Sequence, residues 1–242
     1  MVRRRQMIAW WLADRRQLEV VKAALAEHAP RLRLSVSESD LVARGPYELI
    51  EAGAVADRYL IEIKFEAGLP PDRPKVWEID RRIKRDKDYH INERDGSCCL
   101  GVYDEWSTKT GDSSFVTFLR VPFRNFFVSQ SHYQKYGTWP FDERDHGLPG
   151  MLQSYSELLG CATDVSTVGC QLDFLTRKGP KGHWVCPCGS GKRLRCCCQP
   201  HVNELSKRID RNAAARLFNN LKALLILTGQ KGTAASIGYR HH

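Results

Sequence analysis

Residues 57–79, DRYLIEIKFEAGLPPDRPKVWEI, carry the pattern on which the fold turns. Tyr59, Ile61, Ile63 and Phe65 alternate with polar Glu62 and Lys64, the period of a strand with one face buried. A proline-rich turn at Pro70, Pro71 and Pro74 separates it from a further short strand expected over 75–79.

Upstream, RRQLEVVKAALAEH at 15–28 places Leu18, Val21 and Leu25 on one helical face, with Val20 and Ala24 beside them, and Pro30 stops the helix. The run MIAWWLA at 7–13 follows a basic start, but it meets Asp14, Arg15 and Arg16 at once and has no small-residue cleavage site. It reads as a helix start and not as a signal peptide. Residues 31–56 carry no clear pattern. No stretch approaches the roughly 18 apolar residues of a membrane span, so a cytoplasmic protein without membrane partners is expected.

Downstream, DRRIKRDKD at 80–88 is a charged connection, and the Phe- and Val-rich run at 113–130 belongs to the core, kinked at Pro122. Residues 161–182 read as a linker closed by Gly and Pro. From 202 onward, Leu205, Ile209, Leu217, Leu221 and Leu224 predict one or two helices ended by Gly229, with a mobile tail after them. The net charge of +9 suits nucleic acid or an acidic protein partner and also an ordinary soluble surface.

Nine cysteines, an odd number unevenly spread, do not form a secreted disulfide framework. Five fall within CPCGSGKRLRCCCQPH, 186–201, where a Gly-containing turn can fold one thiol pair over another to make a tetrahedral metal site. Unpaired thiols or a disulfide are the plainer alternative. A phosphate loop is excluded at Gly191-Lys192, because Arg193 stands where Ser or Thr is needed and no strand–loop–helix frame surrounds it. Two more cysteines, Cys98 and Cys99, lie in YHINERDGSCCLGVYDEW, 89–106, as either small core residues or a catalyst.

The segment at 186–198 resembles the SEC-C zinc motif, C-x-C, eight residues, then C-C or C-H. The resemblance implies structural zinc on Cys186, Cys188, Cys197 and Cys198; Cys196 with Cys197 forms an alternative second pair. Its relatives dock proteins or nucleic acid, and Lys192, Arg193 and Arg195 would suit an acidic partner or merely form a solvated rim.

The larger part resembles the ubiquitin-conjugating (UBC) family. It carries Pro70-Pro71 and Pro74-Lys75-Val76, then His90-Ile91-Asn92 in the place of that family's His-Pro-Asn, then Gly96, Cys99-Leu100 and Trp106. Ile91 stands where the family has proline, and the Asn92–Cys99 and Cys99–Trp106 spacings are about one residue short. The stretch 137–160, with Trp139, Pro140 and His146, is similar to a segment of bacterial UBC-like proteins.

Together the resemblances imply an α+β fold: a UBC-like antiparallel β-meander with flanking helices over 1–160, a linker at 161–182, a SEC-C knuckle at 183–201 and a helical segment at 202–242. They imply that Cys99 carries an acyl group as a thioester, with Asn92 able to stabilise an oxyanion or order its own loop. His90 would be a loop support, and Asp104 either a group orienting the amine or a solvated acid. Cys98 reads as a small buried residue or a resolving thiol; the role of His146 stays open.

The implied partner is a ubiquitin-like modifier or a cyclic-oligonucleotide synthase with a C-terminal Gly or Ala, served by a separate activating enzyme, in antiphage defence. An inactive adaptor of the same fold is the alternative. A third reading, a zinc-dependent nucleic-acid-binding protein, is suggested by charge and zinc alone; nucleic acid is not expected, since no recognised nucleic-acid module and no basic residues interleaved with exposed aromatics are present.

Overall fold

The computed structural model describes residues 8–68, 71, 73–140 and 147–239, apart from the Asp104 side chain. It contains helices and one sheet of four antiparallel strands in the order β1-β2-β3-β4, a meander. The strands are β1 (Arg33–Val36), β2 (Leu41–Glu51), β3 (Ala54–Phe65) and β4 (Lys75–Glu78).

The chain divides into two compact units, Met1–Tyr103 with Asp112–Asp142 and Asp104–Gly111 with Glu143–His242. In the first, α1 (Trp10–Ala13) and α2 (Arg15–His28) precede the sheet. The Asp14 carboxylate caps α2 by accepting the N–H groups of Arg16 and Gln17. Tyr59, Ile61, Ile63 and Phe65 are buried on one face of β3, while Leu60 and Lys64 are exposed on the other.

Against that buried face lie α4 (Phe115–Phe118), a wider π turn at Leu119–Phe123 and α5 (Arg124–Tyr136). Phe127 is fully buried, its ring 4.8 Å from Tyr59 and 5.2 Å from Tyr47, and Phe123 lies 4.7 Å from Tyr47. Aromatic contacts of this kind add to the large apolar area each ring removes from water. Burial pushes the Tyr47 hydroxyl up to about 12, so it stays neutral.

The charged connection after β4 is tied down at one point. Arg82 grips Asp57 with two hydrogen bonds of 2.6 and 2.9 Å and also donates to the Gln134 side chain on α5. Ile83 is buried beside it. The loop that follows therefore starts from a fixed place.

The second unit is helical: α3 (Tyr103–Thr110), α6 (Gly147–Leu159), α7 (Val165–Leu175), α8 (Gln199–Arg208), α9 (Arg211–Leu227) and α10 (Lys231–Ser236). α6 and α7 pack on α9. Buried Glu105 of α3 accepts from Lys109 and from Ser154 on α6. The stretch 161–182 is thus no bare linker: α7 lies within it, with Val168, Leu172, Phe174 and Leu175 buried. Nor is the described tail loose, since Tyr239 is buried, receives the Arg177 guanidinium on its carbonyl and donates its N–H to Asp173. No described helix is long and apolar enough to cross a membrane.

Phe127→Ala should lower the unfolding free energy by about 3–5 kcal/mol through cavity formation, read as a shift of the urea midpoint at constant m-value.

Candidate functional site

Cys98 and Cys99 close a small hairpin. Ile91 and Cys98 form an antiparallel bridge, Cys99 N–H donates to His90 O at 2.7 Å, and Asn92 N–H donates to Ser97 O at 2.8 Å. Gly96 makes the turn at φ +75°, a conformation costly for a residue with a Cβ. The Arg85 guanidinium lies 3.1 Å from where a Cβ at Gly96 would stand. Cys98 N–H then donates to Val76 O at 2.7 Å, which fastens the hairpin to β4.

Adjacent residues of an extended chain face opposite ways. Cys98 is accordingly buried and Cys99 exposed. Burial pushes the Cys98 thiol far above the ordinary thiol range, so it remains protonated. The two thiols therefore differ in access to solvent.

Asn92 is exposed and its side-chain N–H donates to Ser97 Oγ at 2.8 Å; that hydroxyl donates to Asp95 Oδ1 at 2.7 Å. Burial opposes the Asp95 carboxylate, but the Ser97 hydroxyl and N–H, with Lys75 at 3.4 Å, outweigh it and hold the carboxyl below its usual range. Trp77 Nε1–H donates to Asp95 O at 3.1 Å. Sequence alone does not mark Ser97 and Asp95 as supports of Asn92 except through the D-x-S spacing, since an Asp side chain readily accepts the N–H two residues on.

His90 has a left-handed backbone, φ 55°, after a 3₁₀ turn at Lys87–Tyr89. Its ring meets Trp139 edge-on at 4.9 Å, and Trp139 stacks on Tyr133 of α5 at 4.3 Å. Buried Gln130 of α5 donates to Tyr89 O at 2.8 Å. The His90 ring thus packs on the Trp139–Tyr133 stack. Trp106 and Asp104 lie on α3. His146 lies outside the described residues.

In the second unit the segments 182–186 and 192–195 run side by side. Cys186 N–H donates to Lys192 O, Leu194 N–H to Trp184 O and Arg195 N–H to Gly182 O, at 2.7 to 2.9 Å. Gly189 and Gly191 turn between them at φ +80° and +71°. The sulfurs of Cys186, Cys188, Cys197 and Cys198 all lie within 4.8 Å of one another. Cys188–Cys197 is 3.5 Å and Cys197–Cys198 is 3.6 Å.

Four sulfurs at the corners of a tetrahedron around zinc would stand about 3.8 Å apart, given zinc–sulfur bonds of about 2.3 Å. The cluster thus has the ligands and the spacing to hold a metal ion. Cys196 is exposed and outside it, so the second pair is Cys197 with Cys198.

Burial opposes the Cys188 thiolate, yet hydrogen bonds from the Ser190 hydroxyl and N–H and from Cys186 and Cys197 outweigh it and bring Cys188 down to about 6. Burial pushes Cys186 and Cys198 upward. The knuckle rests on Phe174, Leu194, Val202 and Tyr239, with Trp184 edge-on to Phe174 at 5.8 Å. Tyr239 Oη–H donates to Val185 O at 2.8 Å.

No protein-family model, no curated protein and no solved structure matches the chain. The sheet and the cysteine cluster stand on the structure itself.

The purified protein should contain one divalent metal ion per chain by elemental analysis. Cys197→Ser should lose it and Cys196→Ser should keep it. Because Cys186 and Cys198 must shed protons held above the ordinary thiol range, metal affinity should fall as pH is lowered, measured by competition with a chromophoric chelator.

Proposed function

We propose that Cys99 is the acyl-carrying nucleophile of a UBC-like transferase, and that the four-cysteine knuckle is a SEC-C-like structural zinc site. The observation that carries the reading is the exposure of Cys99 at the end of a fixed hairpin whose other thiol is buried. A four-strand antiparallel meander preceded by a helix supports it, as the order of elements agrees with the resemblance. A cytoplasmic role in antiphage defence is what the resemblance adds.

In the first step the Cys99 thiolate attacks the carbonyl carbon of an activated carrier C-terminus, forms the thioester and expels the activating partner's leaving group. In the second an amine attacks that carbonyl, the carbon–sulfur bond breaks, Cys99 leaves as thiolate and the amine loses a proton as the amide forms. Sulfur suits both steps, being a strong nucleophile and a good leaving group. Asn92, fixed through Ser97 and Asp95, would donate to the oxyanion of the second step. His90 would keep its place in the loop.

The carrier is a ubiquitin-like modifier or a cyclic-oligonucleotide synthase ending in Gly or Ala, delivered by a separate activating enzyme. Zinc, when bound, would cross-link the four thiolates, offset half of their charge and leave no coordination position for substrate.

Incubation with such carriers and their activating enzyme should give an adduct in intact mass spectra that thiols reverse. Cys99→Ala should abolish it, Cys98→Ala should retain it, and Cys99→Ser should convert it to a thiol-resistant ester. Asn92→Ala should leave loading intact and slow discharge to an amine about 10²-fold. Carrier binding without an adduct in any variant would replace the transferase with the adaptor.

A further inference from the structure

The positive charge of this protein is concentrated. Residues 177–216 contain ten of the 37 Lys and Arg residues and two of the 28 Asp and Glu residues, which leaves +8 of the total +9 in that segment. The rest of the chain is nearly balanced. The whole segment belongs to the second unit.

The fold brings these cations together. Leu194 points inward and is fully buried, while its neighbours Lys192, Arg193 and Arg195 are exposed. The Arg195 Cβ lies 3.1 Å from where a Cβ at Gly182 would stand, and Arg195 donates its N–H to Gly182 O, which sets it beside exposed Lys181. On the other side of Lys181, exposed Lys178 lies two residues beyond Thr176, whose carbonyl accepts the Arg211 guanidinium at 2.9 Å. A path of cations thus runs from Arg211 past Lys178 and Lys181 to Arg195 and the metal-site hairpin. Among the described residues, none of these six has a carboxylate within ion-pair distance.

We infer that this cationic surface binds the phosphate backbone of nucleic acid without reading its sequence. The outer side of the hairpin presents no exposed large apolar residue; in the second unit those are Ile226 and Leu227, at the end of α9. Protein interfaces centre on apolar and aromatic anchors, whereas sequence-independent nucleic-acid binding needs only unneutralised Lys and Arg spaced along a polyanion. Arginine forks at Arg193, Arg195 and Arg211 suit phosphate oxygens. The expectation against nucleic acid rests on the absence of a recognised module and of basic residues interleaved with exposed aromatics; the placement of the charge argues the other way. Nothing in this inference depends on the chemistry of Cys99.

The test uses the full chain, metal-loaded, with a fluorescent random 20-mer as duplex and as single strand, in anisotropy titrations between 50 and 200 mM NaCl. Neutralising about four phosphates predicts an affinity loss of about 10²-fold over that range, with no preference among sequences. Lys192→Gln/Arg193→Gln/Arg195→Gln should weaken binding at 50 mM at least tenfold and flatten the log–log slope by about 0.9 per contact removed. Metal content should stay unchanged, which separates lost contacts from a lost fold.

The control Arg15→Gln/Arg16→Gln/Arg33→Gln removes the same charge from the first unit and should leave affinity unchanged. Three results overturn the inference: no binding at 50 mM salt, an equal loss in the control, or polyglutamate of matched charge binding more tightly than either nucleic acid. The last would assign the surface to an acidic polypeptide.

Discussion

A single backbone hydrogen bond, Cys98 N–H to Val76 O, sets the register of the thiol hairpin against the sheet. Slipped by one residue, the same pairing would bury Cys99 and expose Cys98, because side chains along an extended strand alternate between faces. Everything that holds the hairpin serves that register. Asp95 receives Ser97 and Trp77, Gly96 makes the turn that Arg85 closes over, and Gln130 with the Tyr133–Trp139 stack supports Tyr89 and His90 from α5. α5 in turn is fixed by Phe127 against Tyr47 and Tyr59, so the sheet's aromatic core and the thiol's exposure are parts of one construction.

The knuckle is held differently. Between 182 and 201 only Cys186, Pro187 and Leu194 are buried, too little apolar surface to fold a segment of this size unaided. Sulfur replaces the missing core: four thiols converge, and the N–H groups of Ser190, Cys188 and Cys198 point at the sulfurs of Cys188 and Cys186. Such donors favour the thiolate, and at Cys188 they outweigh burial, so this ligand is prepared for a cation before one arrives. Tyr239 then joins the C-terminal residues to the knuckle through the Val185 carbonyl.

How legible these features are in the sequence follows from which forces are local. α2 emerges over 15–28 and β4 over 75–78 almost as their periodicity predicts, and the alternation at Tyr59–Phe65 marks the buried face of β3. β2 escapes such reading because Gly45 and Pro46 interrupt it. Gly45 is needed where a Cβ would stand 2.6 Å from Arg31 O, and Pro46 falls beyond Arg44, the last β2 residue paired with β1. α7 is hidden by Gly169 at its centre, where Ile237 packs against the helix. That contact joins residues 68 positions apart, and no local pattern announces it. The cysteine spacing was legible, but the choice between Cys196 and Cys198 as fourth ligand needed the 3₁₀ turn at Leu194–Cys196, which leaves Cys196 outside.

The metal site and the basic surface bear on each other. With a divalent ion bound, four thiolates would exceed its charge by two, and Lys192, Arg193 and Arg195 lie within the same loop, so part of the local positive charge would balance the centre itself. That balance would account for two of the cations along the path. Lys178 and Lys181, beyond the end of α7, and Arg211, at the start of α9, have no such partner among the described residues, so the surface would keep a surplus after a metal is counted. A surplus of fixed charge gathers counterions in solution, and their release is the driving force available to any polyanion that takes their place. The knuckle therefore does two things with one short segment: its thiols stabilise a fold that its apolar residues cannot, and the turn that folds the thiols together sets its cations facing solvent.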